Sequence, residues 1–351
     1  MILSSLLVRA LLVFFGICGL AAIVGSVYQM QASAADLKAH PVPGRMVNVN
    51  GLNYHLNCTG TGTGSPTSIL EAGLGESALS WYPVQAKLAQ TTQVCAYDRA
   101  GLGWSDPADG PMSLEQVATN LHTLLRNASI MSPFVLVCHS RGGIFCRQFY
   151  RQFPSEVKGL VLVDSTHEQG AFREYPYAQA DYFKQRIQIA IAPLLSRIGV
   201  IRLMGWANAD RQPSPLPADI LAAKTAVQNR TDTTLAVVNE IAVMRKSLDA
   251  ATPPPSSLGK LPLVVLTAGK GIDIGLAERE AIASNSSVEN AVAVARIEST
   301  SQEELAALSS NSKHVIADRS GHFIMYDQPD LLVSNVLELL NSVRCLSPRD
   351  C

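Results

Sequence analysis

Neither sign of charge prevails in this chain: 28 lysines and arginines oppose 29 aspartates and glutamates, leaving a formal net charge of −1. Without a basic field nothing holds a run of phosphates, so nucleic acid is not an expected partner. Charge is also scarce, 16 % of residues against 47 % hydrophobic, with a mean hydropathy of +0.15. That excludes a disordered chain, which needs low hydrophobicity and high net charge. Cysteine is sparse as well, seven in 351 residues, too few for a disulfide scaffold. No CxxC pair or His/Cys cluster has zinc spacing, so neither a metal nor another cofactor is expected. The length allows one large domain with an insertion or two modest ones.

What the chain does have begins at its N-terminus. After a short segment 1–9, residues 10–28 read ALLVFFGICGLAAIVGSVY, nineteen without a charge, close to the ~20 that cross a bilayer as helix. A single-pass transmembrane anchor is the favoured reading. The alternative is a signal peptide cleaved after Ala32-Ser33-Ala34, which would release a secreted protein, although such apolar regions run only ~7–15 residues. Arg9 before the span pushes weakly toward an extracytoplasmic body. There disulfides form, and Cys58 with Cys95, and Cys345 with Cys351, are the pairs to test. The sequons at Asn57, Asn127, Asn229 and Asn285 matter only in a eukaryotic secretory pathway.

Residues 29–45, small, polar and proline-containing, suit a linker. A hairpin follows around Asn50-Gly51. Apolar bursts then end in small or polar residues at 68–73, 94–99, 134–140, 159–165, 261–269 and 313–322. Their continuity marks strands buried on both faces. Helical patterns separate them, one being 113–127 with Ser113 and Gln116 as a capping box. The fold class is α/β, a mainly parallel sheet covered on both sides. Residues 46–165 and 261–345 form the two parts of this core, with 346–351 as a tail. Between them, 166–260 has apolar positions at helical spacing and no convincing strand, and reads as a helical cap insertion.

The motif that carries chemistry is VLVCHSRGG (135–143), a strand running through Ser140 into a helix. A serine on such a sharp turn is a nucleophile elbow, its oxygen exposed beside a helix N-terminus. Cys138 stands where Gly-x-Ser-x-Gly has its first glycine; Gly142 supplies the second. Downstream, His322 in DRSGHFIMYDQPDLL (318–332) is the candidate general base. With YDRAGLGWSD (97–106) and LEAGLG (70–75) in this order, the chain resembles the α/β-hydrolases over about residues 45–345. It is similar to membrane-anchored bacterial members of unassigned substrate, with proline iminopeptidase-like and haloalkane dehalogenase-like relatives.

The resemblance implies an eight-stranded, mostly parallel sheet and a triad in the order Ser, Asp/Glu, His. Ser140 attacks an acyl carbon once His322 takes its proton. Backbone N–H groups of Arg141 and Leu74 form the oxyanion hole. Relatives usually carry His-Gly where this chain has Ala72-Gly73, which removes a loop-ordering side chain. The acid has two candidates: Asp164, ending the sixth strand, is favoured over Asp273, which follows the seventh, because a strand terminus is rigid. His139 and His167 read as structural, and Trp81 and Trp104 as packing residues near the site. Serine rather than aspartate at the elbow points to acyl transfer to water. The expected activity is a serine esterase, a carboxylesterase acting on a small or medium apolar ester, with that ester and the lipid bilayer as partners. Two alternatives stand beside it: an aminopeptidase of the proline iminopeptidase type, with Glu168 and Glu174 the acidic candidates early in the cap, and an inactive homologue that binds a ligand.

Overall fold

The strands are β1 (Arg45–Val49), β2 (Leu52–Thr59), β3 (Thr67–Glu71), β4 (Val94–Tyr97), β5 (Phe134–His139), β6 (Val157–Val163), β7 (Leu263–Ala268) and β8 (Ser312–Ala317), the inner ones formed by continuous apolar runs and β8, at the edge, largely exposed. This is a computed structural model, and it describes residues 2–61, 66–206, 214–249 and 256–344. The strands form one sheet in the order β1-β2-β4-β3-β5-β6-β7-β8. β2 pairs antiparallel with β1 and β4; every other pair is parallel. At the β1–β2 turn Asn50 and Gly51 both take positive φ, 53° and 94°, matching the twist of a two-residue hairpin.

Among the described residues the α-helices before β6 are α1 (Ile2–Ala39), α2 (Tyr82–Leu88), α3 (Leu114–Asn127) and α4 (Gly142–Gln152). Among the described residues between β6 and β7 lie α5 (Gly170–Glu174), α6 (Gln179–Arg197), α7 (Val200–Leu203), α8 (Ala218–Gln228) and α9 (Thr231–Asp249). The last are α10 (Ile274–Ala283), α11 (Val288–Ala306), α12 (Ile324–Asp327) and α13 (Pro329–Arg344). Helix α3 starts at the capping box, the Ser113 hydroxyl accepting from Gln116 N–H and the Gln116 side chain accepting from Ser113 N–H.

Side chains alternate across the sheet, so each inner strand feeds two cores. Leu136 of β5 and Leu160 of β6 pack with α3 and α4 on one face. Val135, Val137 and Val161 pack with α2 and α13 on the other. That is why β3, β4, β5 and β7 are buried at every position, each large apolar side chain contributing about 1.5–3 kcal/mol.

The structure corrects the boundary of the N-terminal span. Residues 29–39, read as part of a linker, continue α1 without a break to Ala39, just before Pro41. The stretch is alanine-rich and so helix-forming. Its polar face is also held, because Arg202 donates to Gln29, Ser33 and Asp36 at 3.0, 3.1 and 2.5 Å. Within α1, Val8–Ala39 includes an 18-residue window of hydropathy 2.5, none of it buried in the protein, long and apolar enough to cross a membrane.

Two disulfides are present among the described residues. Cys58–Cys95 joins directly opposed positions of β2 and β4. Cys138–Cys146 ties the end of β5 to α4, a pair the sequence reading did not include. Cys345 and Cys351 lie outside the described residues.

Candidate active site

The chain leaves β5 through a reversal at Ser140, whose φ is +52°. A non-glycine residue there costs on the order of 1–3 kcal/mol, and three hydrogen bonds hold it. Ser140 N–H donates to the Val163 carbonyl at 3.0 Å, while the Ser140 carbonyl accepts from Gly143 and Thr166 N–H at 3.1 and 3.0 Å. The turn also requires glycine next to it. A Cβ on Gly142 would stand 2.7 Å from the Ala72 carbonyl oxygen and 2.8 Å from that of Glu71, so the helix N-terminus can approach β3 only without a side chain.

His322, in the loop after β8, faces this turn. Its Nε2 is 2.9 Å from Ser140 Oγ and its Nδ1 is 2.7 Å from Asp164 Oδ2. Asp164 directly follows β6 with φ +43°, and its second oxygen accepts the Ala268 N–H at 2.8 Å, at the end of β7. The carboxylate is thus gripped by the sheet itself. His139, almost fully buried, donates through Nε2 to the His322 carbonyl at 2.8 Å and fixes that loop from beneath. Asp273 does not join the group. It is the N-cap of α10, its carboxylate accepting Leu276 N–H at 2.9 Å.

The turn after β3 passes over the serine, since a Cβ on Gly73 would lie 3.2 Å from that of Ser140. Leu74 follows, and among the described residues no acceptor takes its N–H. Arg141 stands at the N-cap of α4, where helix N–H groups favour negative charge. Trp81 and Trp104 are buried. His167 pairs with Glu304 at 3.2 Å and accepts from Gln169 N–H.

The family model described as alpha/beta hydrolase fold matches residues 69–234. The chain is an α/β-hydrolase-fold protein. An AB hydrolase superfamily protein of Gibberella zeae is 25 % identical over 295 residues, 80 % of this chain and 87 % of that protein. An uncharacterized protein of Schizosaccharomyces pombe is 34 % identical over 122 residues, 35 % of this chain but only 22 % of that longer protein. A thermophilic esterase from Thermogutta terrifontis superposes with a TM-score of 0.57 at 17 % identity, over 86 % of this chain and 98 % of that one.

In this α/β-hydrolase core one buried arginine links three segments. Arg99 donates to Glu71 at 2.5 Å, to the Ala72 and Gly73 carbonyls at 2.8 Å each, and to both oxygens of Glu240 on α9 at 2.6 and 3.0 Å. It therefore holds the carbonyl side of the turn that passes over Ser140, and fastens the helical insertion to it. The sequence motif contains Arg99, but Glu240 lies 141 residues away and carries no local signal. Asp98 shapes the neighbouring loop, accepting Ala78 and Trp104 N–H at 2.7 and 3.0 Å and facing His55 at 2.6 Å.

A cavity of about 330 Å³ opens behind Arg99, lined by Met112, Phe145, Leu235 and Glu240 among others; Ser140, Asp164 and His322 are not in its wall. A wider groove of about 800 Å³ runs past Tyr177, Lys270 and Glu298. There the Glu298 carboxyl is pushed up to about 8 by burial, and further by the negative charges of Asp164 and Glu174.

Proposed function

We propose that this protein is a membrane-anchored serine hydrolase, a carboxylesterase of small or medium apolar esters. The observation that carries the reading is the continuous line Asp164 Oδ2, His322, Ser140 Oγ, with separations of 2.7 and 2.9 Å. Asp164 holds Nδ1–H of His322, leaving Nε2 as the acceptor of the serine proton. Ser140 Oγ bonds to the ester carbonyl carbon as its proton passes to Nε2. The oxyanion is held by the N–H groups of Leu74 and Arg141. Collapse expels the alcohol, which takes the proton from His322. Water, deprotonated in turn by His322, then attacks the acyl carbon; the bond to Ser140 Oγ breaks, Ser140 takes the proton back from His322, and the acid is released. No step needs a cofactor.

The similarity to an esterase in fold accords with this. The aminopeptidase alternative is weaker because Glu168 is engaged by Arg147 at 2.9 Å. Retention of the span draws support from Gln29 and Ser33, which cleavage after Ala34 would remove from Arg202. A fluorophosphonate probe tests the chemistry: labelling of the wild type that vanishes in Ser140→Ala is expected, and a folded wild type that never labels would refute it.

A further inference from the structure

Helix α6 carries an apolar stripe that no described residue covers. Phe183, Ile187, Ile191 and Leu194 are all exposed. Spaced four, four and three residues apart, they fall within about 80° of arc on a helix of 3.6 residues per turn. Leu203, Met204 and Trp206, in and just beyond α7, are exposed in the same part of the chain. Lys184, Arg186 and Arg197 flank the stripe on α6. Isolated exposed apolar residues are ordinary, but a sustained stripe with basic flanks is the pattern of a helix lying at a lipid surface.

What covers this face follows from its continuity with α1. The two helices meet in close contact: a Cβ on Gly25 would stand 2.3 Å from the Ile198 carbonyl oxygen, and Tyr28 packs on Gly199. Gln29, buried, donates to the Asn229 carbonyl at 2.8 Å and closes the joint. Counted from Val8, the ~20 residues of a membrane span end near Val27. The bilayer boundary therefore falls where α1 meets the end of α6, within a turn or two of Leu194, Leu203 and Met204.

Resting on the reading of α1 as a membrane anchor, we propose that the α6–α7 face is a second membrane-contact surface, its apolar stripe seated in the interfacial layer of the same bilayer that α1 crosses. Tryptophan and basic side chains are the residues that settle at that depth.

Trp206 is a built-in reporter, because Trp81 and Trp104 are buried while Trp206 is half exposed. The full chain is reconstituted into nanodiscs of ordinary and of acyl-brominated phosphatidylcholine, and tryptophan emission is compared for wild type and Trp206→Phe. The expected result is at least about two-fold quenching of the emission that Trp206→Phe removes, and its loss in Phe183→Glu/Ile187→Glu/Leu194→Glu, which still elutes with the discs. Co-elution without quenching would overturn the inference and leave the anchor standing. So would two copies per disc cross-linked through the stripe. Failure to co-elute would overturn anchor and inference together. Ester hydrolysis enters none of these readouts, so the proposal for Ser140 stands or falls separately.

Discussion

Asp164→Asn discriminates between the two aspartates because the structure dictates which way the new amide must face. Ala268 N–H donates to Oδ1 of Asp164 at 2.8 Å, so an asparagine there keeps its oxygen toward Ala268 and turns its NH₂ toward His322. The imidazole must then accept at Nδ1 and carry its proton on Nε2, 2.9 Å from Ser140 Oγ, where it can no longer take the serine proton. Flipping the amide instead sets two donors against each other at Ala268. The flip would present an oxygen to His322 Nδ1–H but only at the cost of that donor–donor clash, so the first orientation prevails and the general base is lost while volume and packing are kept. The expected fall in kcat is about 10³–10⁴-fold, roughly 4–5.5 kcal/mol of barrier, with the melting temperature nearly unchanged. Asp273→Ala should do the reverse. Removing the N-cap of α10 costs about 1 kcal/mol of stability and leaves p-nitrophenyl ester turnover within two-fold. Both effects are read from kcat and thermal melts on the same preparations. If Asp164→Asn kept more than about a tenth of wild-type kcat, or if Asp273→Ala abolished it, the proposed role of Asp164 would be wrong.

Three further outcomes are expected. Glu298 has a folded pKa near 8, above its ordinary 4.5, so the native state binds the extra proton and stability declines as pH rises from about 4.5 to 8. Glu298→Gln removes that decline: at pH 8 the variant should gain on the order of 1–2 kcal/mol over wild type, discounted for partial solvent screening, and at pH 4.5 almost nothing, as measured by denaturant melts. Arg99→Ala leaves the Glu71 carboxyl buried without its cation and frees the turn at Ala72-Gly73, so chemical unfolding should show a loss of about 3–5 kcal/mol. Equal stability would show that the Arg99 pairs contribute nothing. Cys58→Ser/Cys95→Ser opens a loop of sequence separation 37 and should cost about 2–4 kcal/mol in the oxidised protein, as read from denaturant melts; an unchanged midpoint would show that this disulfide adds no stability.

Much of the architecture is legible in the residues because its determinants are local. Strands buried on both faces must be continuously apolar, Asn50-Gly51 can form its hairpin turn unaided, and Ser113 with Gln116 caps α3 within four residues. Ser140 and His322 were readable for the same reason, each sitting at a junction that the flanking strand and helix announce. Among the described residues of 166–260 the elements are helices, in keeping with the helical spacing of the apolar positions there.

What the sequence by itself determined, then, is the alternation of strands and helices, the elbow at Ser140, and an apolar segment long enough to span lipid. Tertiary structure decided the rest. Which carboxylate reaches His322 depends on β6 lying beside β7, so that Ala268 N–H orients Asp164, while Asp273 is spent on capping α10. The hold on residues 29–36 of α1 depends on Arg202, and the grip of Arg99 on the turn after β3 on Glu240 arriving from α9. Each is a contact between segments far apart in the chain, and no periodicity or local propensity encodes which distant partners a fold will bring within 3 Å of one another.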